Sequence, residues 1–153
     1  MGRKKRKQNL KGFSLLEIVV TLGVLMTFAL IVFPVGINKN QKSKLEIYAS
    51  QIVTDLYYQQ QRSYLKNIPT GISLGSNTYT LFDGTTLSTA TDTDIKTYPN
   101  NIQITNVSLL NLSEEISFDG GSFRPNFYGF FRITDQINYI NVYINEEGLI
   151  WYE

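Results

Sequence analysis

One carboxylate stands at the mouth of a long apolar run. In KGFSLLEIVVTLGVLMTFALIVFPVGI, Glu17 precedes a stretch from Ile18 to Ile37 that carries no charge. A carboxylate beside apolar surroundings is costly unless a cation pairs with it, so Glu17 is the first candidate for a function. The bland alternative places it at an interface where it reaches water. The other groups capable of chemistry are weaker. FDGGSFRP has the glycines of a phosphate loop but lacks the Lys-Ser/Thr pair, and no helix is expected after it. A turn with Gly120 and Gly121 at positive φ is expected instead. Asp83, Asp92 and Asp94 offer oxygen ligands, yet TDTDIK lacks the further acids and the glycine of a calcium loop. Glu114 and Glu115, like Glu146 and Glu147, are adjacent; on a strand such neighbours face opposite ways and make poor acid–base partners. The chain has no histidine and no cysteine. The commonest general base, the commonest metal ligand, thiolate nucleophiles and disulfides are all excluded. We therefore expect no catalytic residue, no metal site, no cofactor and no enzyme.

The elements that would position Glu17 are a basic segment and a helix. The net charge of +1 conceals a strong asymmetry. Residues 1–12 hold Arg3, Lys4, Lys5, Arg6, Lys7 and Lys11 with no acid, whereas the rest of the chain is acidic. A basic segment directly before an apolar helix stays in the cytoplasm by the positive-inside rule, and the acidic body lies outside. At 1.5 Å per residue the uncharged run spans roughly 30 Å, the thickness of a bilayer's hydrocarbon core. The run is longer than the apolar part of a removable secretory signal, and FPVGINKNQKSK offers no convincing small-x-small cleavage site. A plain signal anchor accounts for the charges and the helix but not for Glu17.

The order basic residue, Gly12, Phe13, a short apolar stretch and Glu17 resembles the class 3 (type III) prepilin signal of type IV pilins and pseudopilins. The resemblance implies that a prepilin peptidase cuts between Gly12 and Phe13, on the cytoplasmic side. Phe13 then begins a mature chain of residues 13–153, and its new amine is N-methylated. Glu17 falls at the fifth mature position, where the family has its characteristic glutamate, and Pro34 at the twenty-second, where it often has a proline. The implied role of Glu17 is subunit assembly: its carboxylate pairs with the Phe13 amine of a neighbouring subunit in low dielectric. Gly12 lets the peptidase approach the backbone closely. Pro34 removes one helical hydrogen bond and favours a kink. The stretch Ile116 to Ile133 is similar, more loosely, to minor pseudopilins of the type II secretion GspH kind and the competence ComGD kind. The implied function is that of a minor pseudopilin in a type IV pilus-like filament, with the competence pseudopilus for DNA uptake as the first expectation. A type II secretion pseudopilin and a type IV minor pilin are the alternatives within the family. The implied partners are the prepilin peptidase, other major and minor pseudopilins, the assembly platform membrane protein and membrane lipid. The implied location is the cell membrane, single-pass, with an extracytoplasmic C-terminal domain. An unprocessed, signal-anchored binding domain is the alternative from another class.

Beyond Ile37, the residues Leu45, Tyr48, Ala49, Ile52, Val53 and Leu56 recur at steps of three and four, the stripe of an amphipathic helix packed on a sheet. QQQRSYLK extends it to about Lys66, and Asn67 and Pro69 end it. Short strands follow: Tyr79–Phe82 before an Asp83-Gly84 turn, an alternation from Ile102, and a strand at EISF. A three-stranded meander is expected from Tyr128 to the C-terminus, with turns at Asp135-Gln136 and Glu146-Glu147-Gly148. Residues 85–100, rich in Thr, Ser and Asp, are expected to form an exposed loop. The expected fold is α+β: a long N-terminal helix packed on a C-terminal antiparallel sheet. The expected organisation is a leader over 1–12, a transmembrane and assembly helix over 13–37, its amphipathic continuation over 38–68, and an extracytoplasmic β domain over 69–153. The body is acidic, and Arg62, Lys66, Lys96, Arg124 and Arg132 are scattered. A DNA contact is therefore left open, but strong nonspecific DNA binding is not expected.

Overall fold

The computed structural model describes residues 14–153 and, within the long helix, the side chains of residues 14–29 and 44–66. The described residues form a helix, α1 (Leu15–Lys66), and eight strands. These are β1 (Thr70–Leu74), β2 (Thr78–Asp83), β3 (Asp92–Thr97), β4 (Gln103–Leu109), β5 (Glu115–Phe118), β6 (Gly129–Thr134), β7 (Tyr139–Ile144) and β8 (Ile150–Tyr152). Two compact units divide it, Met1–Lys39 and Asn40–Glu153, and α1 contributes residues to both.

The second unit is α+β, with the helix packed on antiparallel sheet as the sequence suggests. The apolar stripe is the reason. Leu45, Ala49, Ile52, Val53 and Leu56 are all buried, and Tyr48 is partly so. Each large apolar side chain taken from water contributes about 1.5–3 kcal/mol. They share one core with Ile72, Tyr79, Ile116, Phe131, Ile133 and Val142 from the strands.

The fold class agrees with expectation, but the strands are divided. They form two four-stranded antiparallel sheets, in the orders β3-β2-β1-β5 and β4-β6-β7-β8. The chain builds three strands of the first, crosses to lay β4 in the second, returns for β5, and finishes with the β6–β7–β8 meander. The meander agrees with the sequence reading, and its turns carry positive φ at Gln136 (77°) and Gly148 (83°). Residues 85–100 correct the expectation of a loop. After a short 3-10 turn at Leu87–Thr89 they form β3, whose register opposes Asp83 to Asp92 and Thr78 to Thr97. β3 is an edge strand with no buried position, so no apolar alternation marks it.

The helix ends as Asn67 turns left-handed, with φ 52°. The DGGS segment meets this end. The Gly121 N–H donates to the Ser63 carbonyl of the last helical turn at 3.0 Å. A Cβ at Gly120 would lie 2.7 Å from the Asn67 carbonyl oxygen. Gly121 takes positive φ (78°) as expected; Gly120 does not, and close backbone packing is what requires a glycine there.

Candidate assembly site

In the first unit Ser14 starts the helix. Its Oγ accepts the Leu16 N–H at 3.3 Å, and its carbonyl accepts those of Glu17 (3.0 Å) and Ile18 (3.2 Å). This is an N-cap, and Glu17 occupies the third helical position, where the helix dipole favours a carboxylate. Glu17 is exposed. The first turn thus presents a negative charge at the start of an apolar surface.

That surface runs right round the helix. Leu15 is 81% exposed and Phe28 62%; between them Ile18, Val19, Val20, Leu22, Val24, Leu25 and Met26 are all exposed. A helix apolar on every side belongs in a membrane or in the core of an assembly. Its two threonines satisfy themselves: Thr21 Oγ1 donates to the Ile18 carbonyl at 2.9 Å and Thr27 Oγ1 to that of Val24 at 2.7 Å. Such back-bonding leaves no donor stranded in apolar surroundings. Among the described residues no helix is long and apolar enough to cross a membrane. The expected span to Ile37 continues past Ala29 into side chains outside the described set.

Of the other residues singled out by sequence, Gly12 and Phe13 lie outside the described residues. Pro34 lies within α1, where the helix assignment has no break, and its side chain is outside the described set. Asp83, Asp92 and Asp94 do come together, in a cleft between α1, β2 and β3. Cations of the protein already engage two of them. The Arg62 guanidinium grips Asp83 with two hydrogen bonds of 2.5 and 2.6 Å, and Lys96 pairs with Asp94 at 2.7 Å. Glu147 is an ion-pair partner of Arg124, and Glu115 accepts the Leu87 N–H.

Sequence reasoning missed the polar pins that fix the second unit. Gln59 and Gln60 are almost fully buried in α1. Gln59 Nε2 donates to the Gly71 carbonyl at 3.1 Å, and Gln60 Nε2 to those of Phe123 (2.8 Å) and Gly148 (2.7 Å). Ser63 Oγ donates to the Asp119 carbonyl at 2.6 Å. A signal was present: these residues continue the spacing of Leu56 by three, four and seven, so the buried face changes from apolar to polar without changing direction. Tyr79 adds a further pin, its hydroxyl donating to Asp55 Oδ2 at 2.7 Å. Burial, reinforced by that carboxylate, pushes the Tyr79 phenol well above the ordinary tyrosine range, so it stays a donor at any physiological pH.

This arrangement of helix and sheets is similar to a solved one, the crystal structure of the type IV minor pilin FimU of Pseudomonas aeruginosa (strain PAO1). The two superpose with a TM-score of 0.54 at 12% identity, covering 74% of this chain and 90% of that chain. The fold is pilin-like. No protein-family model matches the chain, and no curated protein does. Within this pilin-like fold the buried glutamines and Ser63 hold the second half of α1 and the sheets in one register.

Proposed function

We propose that the chain is a minor pseudopilin, a structural subunit of a type IV pilus-like filament, with no enzymatic activity of its own. The observation that carries the proposal is a helix exposing apolar side chains on all sides, headed by Glu17, on a chain with a pilin-like fold. The subunit enters the membrane with its basic leader in the cytoplasm. Prepilin peptidase cuts after Gly12, and Phe13 carries the methylated amine. The apolar helix then exchanges lipid for the helices of neighbouring pseudopilins as the assembly platform extracts it. Glu17 guides that exchange by pairing with the amine of an adjacent subunit, and each partner makes the other tolerable in low dielectric. A competence pseudopilus serving DNA uptake is the machine we favour, because a cysteine-free chain with a small β domain suits such a system. The likeness to FimU favours a second reading, a minor pilin of a type IV pilus.

The test is intact mass and N-terminal sequencing of the membrane-extracted protein, made with and without the cognate peptidase. A chain starting at Phe13 and one methyl heavier is the expected result. A chain retaining its leader beside an active peptidase would refute processing, and with it the filament. Glu17→Ala should be cut normally yet enter filaments poorly. Unchanged incorporation of that variant, scored by pulldown with the other subunits, removes the pairing role.

A further inference from the structure

The outward face of the second sheet carries a row of rings that the assembly reading does not use. Phe130 on β6, Tyr143 on β7 and Trp151 on β8 are cross-strand neighbours in register. Tyr143 and Trp151 stack with planes 13° apart and centroids 5.2 Å apart, and Phe130 lies 5.8 Å from Tyr143. Cross-strand aromatic pairs stabilise a sheet, which accounts for the inner members of the row. It does not account for the last one. β8 is the edge strand, so among the described residues no strand covers the far side of Trp151, and the residue is 39% exposed. The stack therefore ends in an open indole.

Polar groups border the row on the same face. Arg132 lies opposite Asn141 and donates from Nε to Asn141 Oδ1 at 3.0 Å, with its guanidinium carbon 4.1 Å over the Tyr139 ring. Asn141 Nδ2 donates to the Tyr143 hydroxyl at 3.3 Å, which leaves that hydroxyl's own proton to donate outward. A flat aromatic surface flanked by fixed amide, hydroxyl and guanidinium donors suits a ligand with an apolar ring face and a rim of hydroxyls. Two classes stack on such rings: nucleobases and saccharides. The charge decides between them. The unit from Asn40 onward has an excess of carboxylates, and Arg132 is the single cation on this row. Glu153 stands beside Asn141, the two exchanging backbone hydrogen bonds of 2.9 and 3.0 Å. A polyanion meets repulsion here, while a neutral ligand does not.

We propose that this edge of the second sheet binds a neutral saccharide, with a sugar ring's C–H face on Trp151 and its hydroxyls bonded by the Arg132, Asn141 and Tyr143 group. Trp151 is the only tryptophan in the chain, so its fluorescence reports the site directly. The experiment uses the full chain in a detergent without a sugar headgroup. Hexamers of N-acetylglucosamine and of glucose are titrated in turn, with an oligothymidylate as the comparison. At least one hexamer should shift Trp151 emission saturably and shield it from acrylamide. In calorimetry, Trp151→Leu should bind roughly tenfold more weakly or not at all, while Tyr143→Phe, which keeps the ring stack but loses one hydroxyl donor, should weaken binding by a smaller factor. Two results overturn the proposal. Shielding by the oligothymidylate alone, lost as salt rises, would make the row a nucleic-acid surface. No shielding by any ligand in the wild-type protein would leave it a sheet-stabilising stack only.

Discussion

Two stretches of the same helix obey opposite rules. From Leu15 to Phe28, α1 is apolar on every side and every large side chain is exposed. From Leu45 to Ser63 one face is buried, apolar as far as Leu56 and polar at Gln59, Gln60 and Ser63. The second stretch has its partner within the chain; the first has none among the described residues of its own unit. Hydrophobic patterning is thus a statement about where the partner is. A stripe says that it lies on one side within the same molecule, and an unbroken apolar cylinder says that it must come from outside.

Four substitutions test that contrast, from an all-or-none effect downward. Gly12→Val should leave the leader on nearly every molecule, read by mass in the presence of the peptidase, because a Cβ obstructs the close approach the cut needs. Ordinary maturation of this variant would break the link between the apolar cylinder and an external partner. Next is a matched pair. Leu56→Ala should cost the β domain about 2–5 kcal/mol by opening a cavity in its core, whereas Leu22→Ala should leave domain stability within about 0.5 kcal/mol of wild type. Denaturant melts followed by sheet circular dichroism would measure both, and equal losses would mean that the two stretches are not distinct. In the same melts Gln60→Ala should cost about 1–3 kcal/mol, since it strands the buried carbonyl of Gly148 and the part-buried one of Phe123.

The smallest effect lies in the β6–β7 turn. Burial alone would raise the Asp135 carboxyl, but hydrogen bonds from the Asn138 backbone and side chain and the Ile137 N–H outweigh it and hold it below the ordinary aspartate range. A depressed carboxyl stabilises the fold above its unfolded pKa of about 3.9, and that stabilisation is lost as pH falls through the lower folded value. Asp135→Ala should therefore melt earlier than wild type at neutral pH, by less than about 1 kcal/mol because solvent screens so open a turn. The two curves should converge in strong acid. A difference independent of pH would assign the turn's stability to its backbone alone.

Much of this arrangement is legible in the amino acids, and the illegible parts share a cause. The stripe from Leu45 to Leu56 and the alternation through Ile140, Val142 and Ile144 each report a buried face by local spacing, and each is readable. β3 is not, because all of its side chains are at least partly exposed and its strand character comes from hydrogen bonds to β2. The division into two sheets is equally hidden. Alternation says that a residue faces inward, but not which strand lies beside it. β1 is obscured by Gly71, where the Phe82 ring occupies the space of a side chain. The residues proposed for processing and assembly are a different case. For Gly12, Phe13 and Glu17 the sequence offers only a spaced motif, and the roles proposed for them depend on partners outside the chain.

The sheet crossing sets an order in time. β5 fills the place beside β1, yet it is made only after β4 has been laid in the other sheet. The Tyr57 hydroxyl of α1 waits longer still, for the carbonyl of Ile150 in β8, which it meets at 2.7 Å. A growing chain that stops short of β5 has neither sheet complete and covers the buried face of its helix only in part. Closure is then a late, cooperative event that joins distant segments, and such topologies fold slowly. During that interval part of the α1 stripe lacks its cover. Completion of the last strands, rather than formation of the helix, is the step that covers the stripe and ends its share of the risk of aggregation and proteolysis.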